Sequence, residues 1–467
     1  MKLVIAEKPS VAMALASVLG ARTRKDGYVE GNGYIVSWCV GHLVGLCDAS
    51  EYDEKYKKWR YEDLPIVPEC WKHKILEGTK KQFGILKKLM RDSEVNEVIC
   101  ATDAGREGEL IFRLVYEQAG CRKPMKRLWI SSMEEQAIKD GFVSLKDGSC
   151  YDSLYQSALC RAKADWLVGI NASRLFSVLY NQNLKVGRVQ TPTLAMIVDR
   201  NQKIKEFTKE KYYMAHIKFD DMDAVTENFQ KKEDADKVAA ECQERMCEVE
   251  KDDVKEKTVR PPKLYDLTTL QREANRMFGY TAQQTLDAVQ EMYEQKLVTY
   301  PRTDSQYLTD EMGESTETLI QMLFGKMPYA EGLEYQSDVS KVLNSKKVSD
   351  HHAIIPTMEV AKADIGELKE RSRKILYLIS ARVLTATADP YIYESHKCQI
   401  TCNYHTFYLS AKKIKQEGFK SIENKLKQFF GVKSEKEEPE LDIWDGKHYG
   451  PCDSFVSEHF TQPPKQY

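Results

Sequence analysis

Two short apolar runs, each ending in carboxylates, constrain this chain most. Lys2-Leu3-Val4-Ile5-Ala6 leads into Glu7-Lys8-Pro9-Ser10, and Val95 to Ala101 leads into Thr102-Asp103-Ala104-Gly105-Arg106-Glu107-Gly108-Glu109. A continuous apolar run reads as a strand covered on both faces, the pattern of a parallel sheet flanked by helices. Pro9 suits the first turn of a following helix, and Leu110-Ile111-Phe112-Arg113-Leu114 begins another. In an open α/β sheet ligands bind outside the carboxyl ends of the strands, so both acidic clusters are expected to face one crevice. Mg²⁺ suits such a site, because one or two carboxylates hold it while waters and substrate phosphates fill its octahedron.

A second feature lies far downstream, in Thr299-Tyr300-Pro301-Arg302-Thr303-Asp304-Ser305. Thr281-Ala282-Gln283-Gln284 matches a capping box, and Leu286, Val289, Tyr293 and Leu297 then recur at helical spacing. Pro301 is expected to stop that helix and leave Tyr300 at its end. Arg302 is permanently charged and forks to phosphate oxygens, so beside Tyr300 it would favour phenolate and balance charge on a phosphate under attack. A phosphotyrosine bond is the natural product. Taken alone the motif is weak, since one tyrosine among 25 more often simply packs.

With the acidic segments beside it, the chain resembles the type IA DNA topoisomerases, and within them the bacterial DNA topoisomerase III group. Ala6 to Ser10 and Thr102 to Glu109 are similar to the two acidic motifs of the Toprim domain. Val186-Gly187-Arg188-Val189-Gln190-Thr191-Pro192-Thr193-Leu194 resembles the family's DNA-contacting motif, and Tyr300 to Ser305 its nucleophile motif. His351-His352-Ala353-Ile354-Ile355-Pro356-Thr357 resembles the motif that faces the nucleophile.

The resemblance implies a multidomain α/β plus α fold: an N-terminal Rossmann-like Toprim domain, a helical base, a β arch and a helical nucleophile domain, together a torus. Residues 1–150 would be Toprim, with an insertion around 37–63 belonging to the base. Residues 151–208 would form the base and DNA groove, 209–262 the first part of the arch, 263–390 the nucleophile domain and 391–467 the arch return. It also implies an ATP-independent reaction. Tyr300 would attack single-stranded or underwound duplex DNA, stay attached to the 5′-phosphate, allow strand passage and reseal, thereby relaxing negative supercoils and decatenating. Lys8 and Arg302 would hold phosphate oxygens, Glu7 would help carry a proton to the leaving 3′-oxygen, and His351 would orient the nucleophile's surroundings or a phosphate. Glu7, Asp103 and Glu107 would hold Mg²⁺, used chiefly for rejoining. A helicase or single-strand-binding protein is a possible partner.

Further DNA contacts are expected from Arg161, Asp165 and Arg174 on a helix spanning Gln156 to Leu175, and from Lys185, Val186, Gly187, Arg188, Val189 and Gln190. Gly187 lets a backbone come close there and Arg188 offers a bidentate phosphate contact. Trp59, flanked by Lys57, Lys58 and Arg60, could stack a base. A solvated charged helix face and plain packing are the competing readings.

Two departures from the family pattern stand out. Gly105 takes the place of a second acid, which predicts weaker Mg²⁺ binding than in an Asp-x-Asp relative. After the arch the sequence stops at Tyr467, where a return to the base is expected, so it looks truncated. Alternatives therefore stay open: an inactive DNA-binding fragment, or a different Toprim nuclease or primase that would not need Tyr300.

Composition fits these expectations without producing them. At 467 residues three or four domains are expected. A formal net charge of -2 is not that of a generally basic nucleic-acid binder, so cations would have to gather in a groove. The twelve cysteines include no Cys-x-x-Cys pair and support neither a zinc ribbon nor a disulfide framework. No signal peptide or membrane-spanning run is visible, and a bacterial cytoplasmic, nucleoid-associated setting is expected. Strands Tyr212 to Phe219, Lys397 to Cys402 and Thr406 to Ala411, with a charged helix from Glu233 to Arg245, are expected to share one β domain.

Overall fold

The apolar runs become the centre of a sheet. In the computed structural model, which describes residues 1–333, 336–348, 351–432 and 446–466, the chain divides into two compact units. The first comprises Met1–Thr193, Leu264–Met312 and Leu343–Ile379. Its strands are β1 (Lys2–Ala6), β2 (Thr23–Lys25), β3 (Tyr28–Gly31), β4 (Tyr34–Trp38), β5 (Val44–Leu46), β6 (His73–Ile75), β7 (Glu97–Ala101), β8 (Met125–Arg127) and β9 (Lys146–Asp147). Seven of them form one sheet in the order β2-β3-β4-β1-β7-β8-β9, while β5 and β6 pair separately.

β1 runs parallel to both β4 and β7, with Ile5 opposite Cys100 and Ala6 opposite Ala101. That register ends β1 and β7 at the same level and sets Glu7 beside the loop that carries Asp103. Leu3, Val4, Ile5, Val98, Ile99 and Cys100 are fully buried, each large aliphatic contributing roughly 1.5–3 kcal/mol relative to exposure. Helices Pro9–Leu19, Lys80–Arg91 and Arg106–Ala119 flank the sheet. Pro9 is at the first helical turn as expected, and Gly20 closes that helix at φ 76°.

The segment carrying Tyr300 also lies in this unit, after helices Leu267–Phe278 and Ala282–Glu294. The capping box forms: Gln284 N donates to Thr281 Oγ1 at 3.1 Å, and Thr281 N donates to Gln284 Oε1 at 3.0 Å. Pro301, however, does not end the helix. It stops at Glu294 because Lys296 turns the chain at φ 67°. Val298 to Tyr300 then continue extended, with Val298 bridged to Pro356 and Thr299 N donating to Ile355 O at 2.9 Å. Tyr300 is therefore held by a strand-like pairing rather than by a helix end. The helix expected over Gln156 to Leu175 is longer, Asp152–Tyr180.

The second unit comprises Leu194–Lys263, Gly313–Val342 and Ser380–Tyr467. Its sheet, in the order β15-β12-β13-β14-β11-β10-β16, uses β10 (Lys211–Phe219), β11 (Met222–Val225), β12 (Cys247–Val259), β13 (Tyr391–Cys402), β14 (His405–Gln416), β15 (His448–Tyr449) and β16 (Asp453–Phe460). β13 lies antiparallel to β12 from Cys247↔Cys402 to Val259↔Tyr391, so the strands after Pro390 join those before Pro261 in one sheet. Helix Lys232–Cys242 supplies Ala239 and Cys242 to its core.

This core gathers cysteines that are far apart in sequence. Cys242, Cys247, Cys402 and Cys452 are all buried there, and Cys242 Sγ donates to Cys402 O at 3.3 Å. Among the described residues no group of three or more His, Cys, Asp or Glu is arranged to hold a metal, and these thiols serve as small apolar side chains. No helix among the described residues is long and apolar enough to cross a membrane.

Candidate active site

Glu7 follows β1 and is 6% exposed. Its Oε2 accepts from Asp103 N at 3.3 Å. Burial and then the Asp103 charge push its carboxyl up to about 7, against the pull of Arg302 and Lys8. Burial likewise raises Asp103, while Lys8, Tyr300, Arg302 and Arg127 oppose the rise. Two acids sharing a dry corner disfavour each other's ionised form.

Tyr300 closes over this pair. Its Oη donates to Asp103 Oδ2 at 3.2 Å and its N donates to Ser131 O at 3.1 Å. The ring stands edge-on to Tyr293 at 5.4 Å and lies 4.4 Å from the His351 ring. Arg302 does pull the phenol toward phenolate, but it is outweighed. Burial, then Asp103 and Glu7, drive the phenol above its ordinary range, and the exposed Arg302 only partly offsets them. The arrangement holds Tyr300 protonated, with its proton directed at a carboxylate.

His351 is 3% exposed. Its Nε2 contacts Ala104 O, so Nε2 carries the proton and donates, and Nδ1 accepts from Ser131 Oγ at 2.9 Å. Burial pushes its pKa down to about 4. Both ring nitrogens of His351 are thus engaged inside the protein. Trp129 stacks behind it at 6.3 Å, itself stacked on Tyr151 at 4.9 Å. Lys8 Nζ is engaged by Glu294 Oε1 at 3.0 Å.

Glu107 is not brought to Glu7 and Asp103. It lies in the first turn of helix Arg106–Ala119, half exposed, with His42 Nε2 at 3.6 Å and Arg161 at 3.5 Å. The hydrogen bond with His42, followed by the Arg161 charge, outweighs partial burial and holds its carboxyl below the usual range. Among the described residues no three such groups are gathered ready to hold a metal, and Glu107 makes its contacts apart from the Glu7–Asp103 pair. Glu7 and Asp103 fit a divalent cation chemically, since they are adjacent buried carboxylates whose mutual repulsion a cation would relieve.

From Glu107 an ion-pair chain runs through the expected DNA-contact residues. Arg161 Nε is 3.9 Å from Asp165, and Arg188 grips Asp165 with Nε at 2.6 Å and Nη2 at 3.3 Å. Lys185, Val189 and Gln190 are exposed; Val186 N donates to Ser173 Oγ at 2.9 Å, and Gly187 N donates to Thr191 Oγ1 at 3.1 Å. Arg174 is buried. Its guanidinium lies 5.3 Å from the ring of Trp59, which is 44% exposed and so keeps a face for stacking.

Sequence reasoning missed the supports of this crevice. Arg127 is fully buried and ion-pairs with Glu109 at 3.0 Å. It donates to the carbonyls of Cys100 (3.2 Å), Thr102 (2.7 Å), Leu128 (2.9 Å) and Asp103 (2.8 Å). Glu109 also takes Arg113 Nε at 2.9 Å. A lone arginine at the end of a short strand carries no sequence signal of this. Gly108 packs against Asp103, where a Cβ would meet Asp103 O at 2.1 Å; its place inside the acidic motif was the available hint.

The parallel strands β4, β1, β7 and β8 at the centre of the sheet, with carboxylates following β1 and β7, are the arrangement of a Toprim domain, which residues 2–133 match. Residues 149–467 match the DNA topoisomerase model, and the chain belongs to that family. DNA topoisomerase 3 of Staphylococcus haemolyticus is 37% identical over 474 residues, covering 100% of this chain and 65% of the relative. DNA topoisomerase 3 of Bacillus subtilis is 41% identical over 435 residues, covering 90% of this chain and 59% of the relative. The chain therefore spans less than two thirds of the length of these relatives. The full-length topoisomerase I of Thermotoga maritima shares the fold, with a TM-score of 0.75 and 24% identity over 100% of this chain and 73% of that one.

Proposed function

We propose that this chain cleaves and reseals single-stranded DNA through Tyr300, the chemistry of a type IA topoisomerase. The observation that carries this is the 3.2 Å hydrogen bond from Tyr300 Oη to Asp103 Oδ2, beside a second buried carboxyl at Glu7. Tyr300 Oη attacks the phosphorus as its proton passes to Asp103. Glu7, whose pKa near 7 keeps a large protonated fraction at neutral pH, gives its proton to the departing 3′-oxygen. One P–O bond forms to the tyrosine and one breaks to the 3′-oxygen; the phosphotyrosine conserves the bond energy, so no ATP is consumed. Reversal reseals the strand after another has passed.

Arg302 and Lys8 supply positive charge to the phosphate oxygens, and His351 fixes the Tyr300 ring. Glu7 and Asp103 would hold Mg²⁺, which when bound supplies charge neutralisation and a seat for phosphate oxygens. Arg188, Arg161, Trp59 and the exposed 185–190 segment are the proposed contacts to single-stranded or underwound DNA, in a cytoplasmic setting.

The test uses a 3′-labelled single-stranded oligonucleotide, with and without Mg²⁺, followed by denaturation. A covalent adduct that disappears in Tyr300→Phe supports the reading. Cleavage that persists in Tyr300→Phe refutes it and favours a Toprim nuclease.

A further inference from the structure

Glu294 stands in a position that local helix rules oppose. It is the last residue of helix Ala282–Glu294, where a carboxylate meets the negative end of the macrodipole. Its carboxylate instead reaches the N-terminal end of helix Pro9–Leu19. Oε1 accepts from Lys8 Nζ at 3.0 Å and Oε2 accepts from Ser10 Oγ at 3.0 Å, while Gln290 donates to Oε1 at 3.1 Å. An ammonium, a hydroxyl and a helix N-terminus are the surroundings that suit a phosphate. Both charged side chains keep a path to solvent, Lys8 at 34% and Glu294 at 26% exposure.

We propose that Glu294 is a positioning residue that occupies Lys8 in place of the substrate phosphate and must yield it when DNA binds. The inference rests on the reading of Lys8 as a phosphate ligand. A backbone phosphate entering the crevice exchanges one anion for another on the same ammonium, so the contact with Lys8 is gained only against the cost of releasing Glu294. Removing the Glu294 charge leaves Lys8 available from the start.

The experiment measures binding of a fluorescent single-stranded oligonucleotide to the full chain across a KCl series, for wild type, Glu294→Gln, Lys8→Gln and the double variant. In Glu294→Gln the affinity is expected to rise roughly two- to fivefold, the scale of a partly exposed ion pair. The slope of log affinity against log salt should steepen, because in wild type salt also weakens the Lys8–Glu294 pair that must break and so offsets part of the loss. Both gains should vanish in the Lys8→Gln background. A general structural role for Glu294 would not change the salt slope through Lys8. Unchanged affinity and slope in Glu294→Gln, or gains that persist without Lys8, overturn the inference. Should Glu294→Gln fail to fold, Glu294→Asp, which withdraws the carboxylate by one methylene and keeps its charge, must shift affinity in the same direction; no shift overturns it. Failure of the topoisomerase reading itself shows separately, as wild-type protein that binds the oligonucleotide without forming a Tyr300 adduct.

Discussion

Changing Gly108 to Ala drives a methyl group into the backbone of Asp103. A Cβ at position 108 would lie 2.1 Å from Asp103 O, 3.0 Å from its carbonyl carbon and 3.1 Å from its N. The obstacle is backbone braced by Arg127, not the end of a flexible side chain. Relief requires roughly 1 Å of movement between the helix start and the Asp103 loop, an overpacking cost of about 1–3 kcal/mol. The same displacement moves the carboxylate that accepts from Tyr300, and misplacement on that scale costs about 10²-fold in rate. Adduct formation with a single-stranded oligonucleotide and the urea midpoint should therefore both fall. Gly105→Ala is the internal control, because nothing lies within 4 Å of a Cβ there and φ 171° is ordinary extended backbone. Adduct rates for Gly108→Ala equal to those of the Gly105→Ala control, at an unchanged midpoint, would refute the reasoning.

Three other outcomes follow from the same geometry. Arg127→Leu removes the guanidinium from four carbonyls, of which Cys100 O keeps Leu128 N, and leaves Arg113 as the remaining cation on buried Glu109, so unfolding free energy should drop by about 3–5 kcal/mol; a drop below about 1 kcal/mol would contradict the brace. His351 has a folded pKa of about 4, below that of a free histidine, so the unfolded chain takes up its proton first. The favourable neutral state is complete above about pH 6.5, and the His351 contribution to stability should be lost between about pH 6.5 and 4 by up to about 3 kcal/mol, while Glu7, raised to about 7, contributes in the opposite sense over the same range. The difference between wild type and His351→Gln in a urea-midpoint profile should therefore change across that range, and a pH-independent difference would exclude the His351 contribution. Gly105→Asp adds a carboxylate to an open position beside Asp103, so resealing in a Mg²⁺ titration should reach half-maximum at lower Mg²⁺; identical titrations would dismiss the idea that Gly105 weakens the metal.

Much of the framework was legible because its signals are local. Continuous apolar runs can be satisfied only between covering layers, so Lys2–Ala6 and Glu97–Ala101 were readable as buried strands. The Thr281 cap needs only residues three apart. Errors arose where nonlocal forces compete with local ones. Pro301 is a helix breaker, yet the helix ended earlier because pairing with residues 353–357 made an extended path more favourable. Glu107 is a different case: the acidic motif carries it, and only the fold shows that His42 and Arg161 lie against it.

The sequence by itself determined the inventory and its spacing: two strands ending in acids, a tyrosine beside an arginine, a capped helix before it and motifs in a family's order. The tertiary structure decided what those groups do to one another. Parallel register between β1 and β7 set Glu7 against Asp103, and closure of a segment almost 200 residues away put Tyr300 on that pair. The proton on the phenol, the raised carboxyls and the neutral His351 all follow from burial and from charges distant in sequence. Desolvation and Coulomb energies depend on separation in space, which no linear pattern records.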